Sequence, residues 1–138
     1  MKPHVVILMA DQLRADVLGK GFTPNIDSLM GEGVSFQRAY CGSPLCVPAR
    51  GAFFTGVYPN RNGSLINPWE PADAGYGDVR QDIANLYEMM EGQWESIHSG
   101  KQHLFTEGGK LENRKDSKTR WFSTEASYKE YLKEHGKP

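Results

Sequence analysis

A chain of 138 residues has room for one small domain at most, and 38% hydrophobic with 24% charged residues is neither a collagen-like nor a disordered composition. The 16 basic and 17 acidic residues leave a net charge of -1, which gives no electrostatic footprint for nucleic acid or an anionic membrane, and two cysteines make no disulfide framework. No apolar run reaches the roughly 18–20 residues that cross a bilayer, and Met1-Lys2-Pro3-His4 opens no signal-peptide pattern, so the expected compartment is cytoplasmic with reduced thiols.

In chain order, His4–Ala10 (HVVILMA) is a continuous β-branched run whose length suits a strand buried on both faces of a parallel sheet. Thr23–Met30 reads as a helix, with Thr23 as N-cap, Pro24 at the first helical position and Gly31 or Gly33 as its end. Val34–Tyr40 alternates and is a second strand, interrupted on one face by Arg38. Cys46–Thr55 is a short helix started by Pro48 and closed by Gly56. Residues 57–77 hold three prolines, three glycines and three asparagines, and form a long ordered loop.

Asp78 caps the next expected helix, which runs to Glu91 with Val79, Ile83, Leu86 and Met89/Met90 on one stripe. Trp94–His98 is a third strand, leading into Gly100-Lys101-Gln102-His103. Lys110–Arg120 is polar loop, and Ser123 or Ser127 caps a last helix to Glu134, with Tyr128, Tyr131 and Leu132 on one face. This order predicts an α/β fold. Residues 1–100 balance to -4 and residues 101–138 to +3, so a core-forming first part is followed by a polar excursion.

In α/β sheets, ligand groups gather past the carboxyl ends of strands. Three clusters stand at such places: Asp11-Gln12, Cys46-Val47-Pro48-Ala49-Arg50, and Gly100-Lys101-Gln102-His103. Singly, each has an ordinary reading as a turn residue, a buried thiol or a solvated loop. Jointly they offer more. Cys46 at a helix start meets backbone N–H groups that favour negative charge, and Arg50 is one turn on. Lys101 and His103 share a side in extended backbone, and Asp11 is a hard oxygen ligand for a divalent cation. A nucleophile position, anion-stabilising cations and a metal ligand are what transfer of a tetrahedral oxyanion ester requires. A Cys41–Cys46 disulfide or a zinc site is the weaker alternative, since no further cysteine exists and His98 and His103 lack zinc-ligand spacing.

On Ile7–Gln12, Thr23–Leu29, Ser43–Arg50, Thr55-Gly56 and Ser99–His103, the chain resembles the type I sulfatases of the alkaline phosphatase superfamily. The Ser-Pro-Leu-Cys approach and the Asp-Gln strand ending look most like the choline-sulfatase and phosphonate-monoester-hydrolase branch. The resemblance implies an α/β alkaline-phosphatase-like sandwich with a mostly parallel sheet flanked by helices. Residues 1–104 would be the N-terminal part of its catalytic domain, and 105–138 an excursion, with a helix, into a C-terminal part not in this sequence.

The resemblance further implies that Cys46 is oxidised to Cα-formylglycine by a formylglycine-generating enzyme that reads Cys-x-Pro-x-Arg. The hydrated aldehyde would attack a sulfate ester and expel sulfate through its second hydroxyl. Asp11 and the modified Cys46 would ligate Ca²⁺, with Mg²⁺ or Mn²⁺ as alternatives, while Gln12 stands where many sulfatases have a second Asp. Arg50 would stabilise the deprotonated diol, Lys101 bind sulfate, and His103 hydrogen-bond the diol or leaving oxygen. Asn67 is either a sulfate contact or a turn residue. Small-molecule and sugar sulfates both remain open as substrates, an oligomer is compatible, and no nucleic acid or membrane partner is implied. Phosphonate or phosphate ester hydrolysis, or an inactive truncated fragment, is the alternative reading.

Overall fold

The computed structural model describes residues 3–70, 75–109, 111, 117–122 and 130–137. They fall into two compact units, 1–39 and 40–138.

In the first unit the expected helix forms as α1 (Pro24–Glu32), with Pro24 at its start and Gly33 as its C-cap. Thr23 makes no side-chain cap. Its hydroxyl instead donates to the Asp27 carboxylate (2.7 Å), which also accepts the Gly19 and Gly21 N–H groups (2.8 and 3.2 Å). One acidic residue in the first helical turn thus ties down the whole preceding loop. The two expected strands are not formed: residues 4–10 and 34–40 carry no strand pairing, and Val5, Val6, Ile7, Leu8, Val34, Phe36 and Tyr40 are exposed. A strand buried on both faces needs neighbours to accept its N–H groups and cover its side chains, and the described residues of the first unit by themselves supply none.

In the second unit α2 (Cys46–Thr55) ends at Gly56 in left-handed backbone, φ 68°. Four residues of the loop that follows are helical, as α3 (Pro59–Asn62). The helix expected from Asp78 is confined to α4 (Leu86–Met90). Its cap is Asn85, which accepts the Tyr87 and Glu88 N–H groups while Glu88 reaches back to the Asn85 N–H. Val79 instead joins an extended bridge to Thr106. The stripe still marks the core, because Phe54, Val79, Tyr87, Leu104 and Leu111 form one cluster with Ile83, Leu86 and Trp121 packed against it.

The third expected strand appears slightly later as β1 (Ile97–Ser99), paired in parallel with β2 (Arg120–Phe122), which starts on the last residue of the expected loop 110–120. Helices with this parallel ladder make an α/β fold. Residues 130–134 are helical; the expected caps Ser123 and Ser127 lie outside the described residues. Among the described residues no helix is long and apolar enough to cross a membrane.

Candidate functional site

Cys46 is the first residue of α2, as the position of Pro48 leads one to expect. The N-cap is Leu45, whose side chain has no acceptor, so the first-turn N–H groups need other partners. One comes from the long loop: the Val47 N–H donates to Asn67 Oδ1 at 3.0 Å. Asn67 therefore caps α2 from twenty residues away, a duty that neither sequence reading of this residue contained.

The turn after β1 closes over the same helix start. Lys101 Nζ donates to Cys46 Sγ at 3.7 Å, and Arg50 Nη1 donates to the Lys101 carbonyl at 2.5 Å. Arg50 is buried, with 7% of its surface exposed, so its charge sits inside the junction. Side chain and backbone of Lys101 are thereby fixed to two positions of α2 one turn apart. Cys46, Arg50, Asn67 and Lys101 are brought together.

Behind this turn stands a brace that the sequence did not reveal. The Tyr87 hydroxyl lies 2.7 Å from His98 Nδ1, and His98 Nε2 lies 3.3 Å from the Gly100 carbonyl. Burial pushes the Tyr87 phenol well above its ordinary value, with the Arg50 charge opposing. The Gly100 carbonyl only accepts, so Nε2–H of a neutral His98 donates to it and Nδ1 accepts from the Tyr87 hydroxyl. His98 is a β1 residue that holds up the turn carrying Lys101.

His103 follows on the same turn with φ 48°; among the described residues only it and Gln12, at 57°, are non-glycine with positive φ. Such backbone costs on the order of 1 kcal/mol and concentrates at functional loops. The His103 ring meets Trp69 edge-on at 5.3 Å and Phe105 at 6.2 Å. Gln102 between Lys101 and His103 is buried.

Asp11 and Gln12 occupy an exposed turn of the first unit. Both cysteines are free thiols; Cys41 is exposed and its Sγ donates to the Ser43 carbonyl at 3.0 Å. Among the described residues no three His, Cys, Asp or Glu side chains gather as a metal ion requires. The geometry, then, is a half-buried sulfur at a helix N-terminus with an ammonium on it and a buried guanidinium on the carbonyl of the same lysine. It can receive and polarise an anion.

The family model described as Sulfatase matches residues 3–136. The chain is 32% identical over 107 residues to a Δ4,5-hexuronate-2-O-sulfatase of Bacteroides thetaiotaomicron, covering 74% of this chain and 22% of that protein. It is 31% identical over 115 residues to an arylsulfatase of Clostridium perfringens (78% and 22%). With human steryl-sulfatase it shares 43% identity over 114 residues (75% and 19%). It spans about a fifth of the length of these relatives. No solved structure matches significantly. With a family model matched across nearly its whole length and Cys46, Arg50 and Lys101 gathered at one helix start, the chain belongs to the sulfatase family.

Proposed function

We propose that the chain carries the nucleophile side of a site that hydrolyses sulfate monoesters, with Cys46 converted to Cα-formylglycine. The observation that carries this reading is the Lys101 ammonium 3.7 Å from Cys46 Sγ at the start of α2. Once made, the hydrated aldehyde supplies a hydroxyl that attacks sulfur and a second one whose collapse releases sulfate, which a thiol has no atom to do.

The chain's own residues do the rest. Lys101 donates to an oxygen of the transferring group, where negative charge builds up. Arg50, held by the Lys101 carbonyl, favours the ionised nucleophile by its buried charge. His103 gives a proton to the leaving oxygen. The Asn67 amide oxygen is engaged by Val47, leaving its Nδ2 as the atom with which it would meet sulfate.

The family reading also implies a divalent ion, Ca²⁺ first. The described residues do not make a full seat for one. Asp11 is proposed as one oxygen ligand supplied by this chain, with Gln12 as a neutral neighbour. Cys46-Val47-Pro48-Ala49-Arg50 is proposed as the segment read by the formylglycine-generating enzyme.

Mass spectrometry of the tryptic peptide 39–50, from chain expressed with that enzyme, tests the reading. An aldehyde in place of the thiol is expected; thiol alone at full expression of the modifying enzyme contradicts it.

A further inference from the structure

Trp69 has no part in the chemistry above, yet it is held beside it. The Trp69 N–H donates to the Asn67 carbonyl at 2.9 Å across Pro68, a three-residue turn with proline at its centre. The Asn67 side chain is anchored on the first turn of α2, at Val47. Pro68 in turn stands where Gly77 has no side chain: a Cβ at 77 would lie 2.3 Å from Pro68 Cγ. The indole edge is set by the rings of His103 at 5.3 Å and Phe105 at 6.2 Å. An apolar ring this well placed is nevertheless 56% exposed. Burying it would gain free energy, and nothing described in its surroundings does so.

Resting on the reading of this junction as the seat of a sulfate ester, we infer that Trp69 is the wall for the ester's leaving group and selects a planar aromatic alcohol. The anion end lies with Lys101 and Arg50, and His103, which touches Trp69, is the proposed donor to the leaving oxygen. A group bonded to that oxygen extends towards the indole. Ring meets ring best when both are flat. The two cations of the junction disfavour a positively charged alcohol, and the side chains of Pro68 and Phe105 carry no hydrogen-bonding atom for a polyhydroxyl one.

The test is titration of the full chain with phenyl sulfate, butyl sulfate, choline sulfate and glucosamine 6-sulfate, followed by amide and indole NMR shifts. Phenyl sulfate is expected to bind tightest and to shift the Trp69 indole N–H. Trp69→Leu should cut the phenyl-to-butyl affinity ratio by about fivefold, the scale of one aromatic contact, while Trp69→Phe keeps most of it. Lys101→Met separates the two readings by weakening all four esters together. If it does so while Trp69→Leu leaves the phenyl-to-butyl ratio as it was, the seat stands and the inference about Trp69 falls. Tightest binding of the choline or sugar ester also overturns that inference. If no ester shifts Cys46, Lys101 or Trp69, both readings fall.

Discussion

The Lys101 ammonium stands on the Cys46 sulfur, and the turn that carries it is held in part through its own backbone. Arg50 spends a buried N–H on the Lys101 carbonyl. Arg50→Ala leaves that carbonyl without its guanidinium and should destabilise the chain by about 2 kcal/mol. Urea unfolding checks this, and an unchanged midpoint would mean that the guanidinium does not brace the turn. In the first unit Asp27 gives a pH signature. The Gly19 N–H first, then the Thr23 hydroxyl, hold its carboxyl below the ordinary value of 3.8, against the effect of burial. A lowered folded value means stability that is present above pH 3.8 and lost as pH falls through the folded value. Thr23→Ala should raise the Asp27 titration midpoint seen by carbon NMR; a midpoint that stays put would remove the hydroxyl from the account.

At the scale of elements, caps decide where the helices are. Asn85 is buried and satisfies two N–H groups, so Asn85→Ala should cost about 1–2 kcal/mol in urea unfolding. A change within 0.3 kcal/mol or so would contradict the cap. Gly56, at φ 68° with nothing near an added Cβ, isolates the backbone term: Gly56→Ala should cost about 1 kcal/mol without any clash. These two caps also show what the sequence made legible. Pro24, Gly33, Pro48 and Gly56 act within a turn of their own positions, and α1 and α2 fall where they indicate. Asp78, the expected cap, starts no helix because Val79 is taken into the bridge with Thr106, and Asn85, which the sequence reading passed over, caps α4. The apolar stripe marks Val79, Ile83 and Leu86 as core correctly, but Met89 is exposed, and Val79 and Ile83 lie outside α4. β2 begins at the end of a polar run; its Trp121 packs against the core while Phe122 is exposed.

For the molecule as a whole, apolar burial lies in the second unit. Within residues 3–39 no residue is buried, including the run 4–10 that has the composition of an interior strand. Its pairing depends on distant partners, which no local pattern specifies, so the sequence reveals the strand's character but not its state. Amides 4–10 should exchange at near-random-coil rates while Tyr87 and Leu104 are protected. Equal protection of both sets would place a covered strand in the first unit. The site was legible for the same reason the helices were: Cys46, Arg50 and Lys101 sit at local punctuation, a proline-started helix and a glycine turn. Trp69, Tyr87 and His98 were not, since their roles arise only from tertiary contact.

The most direct measurement is borohydride trapping in the matured chain. In alkaline solution an aldehyde at position 46 condenses with the neutral Lys101 amine to an imine with loss of water, and reduction makes the bond permanent. The convergence of these two side chains predicts that tryptic peptide 39–50 is joined to 81–110, in which Lys101 is no longer cut. Clean reduction of the aldehyde to an alcohol in the folded chain, with peptide 81–101 released as usual, would contradict it.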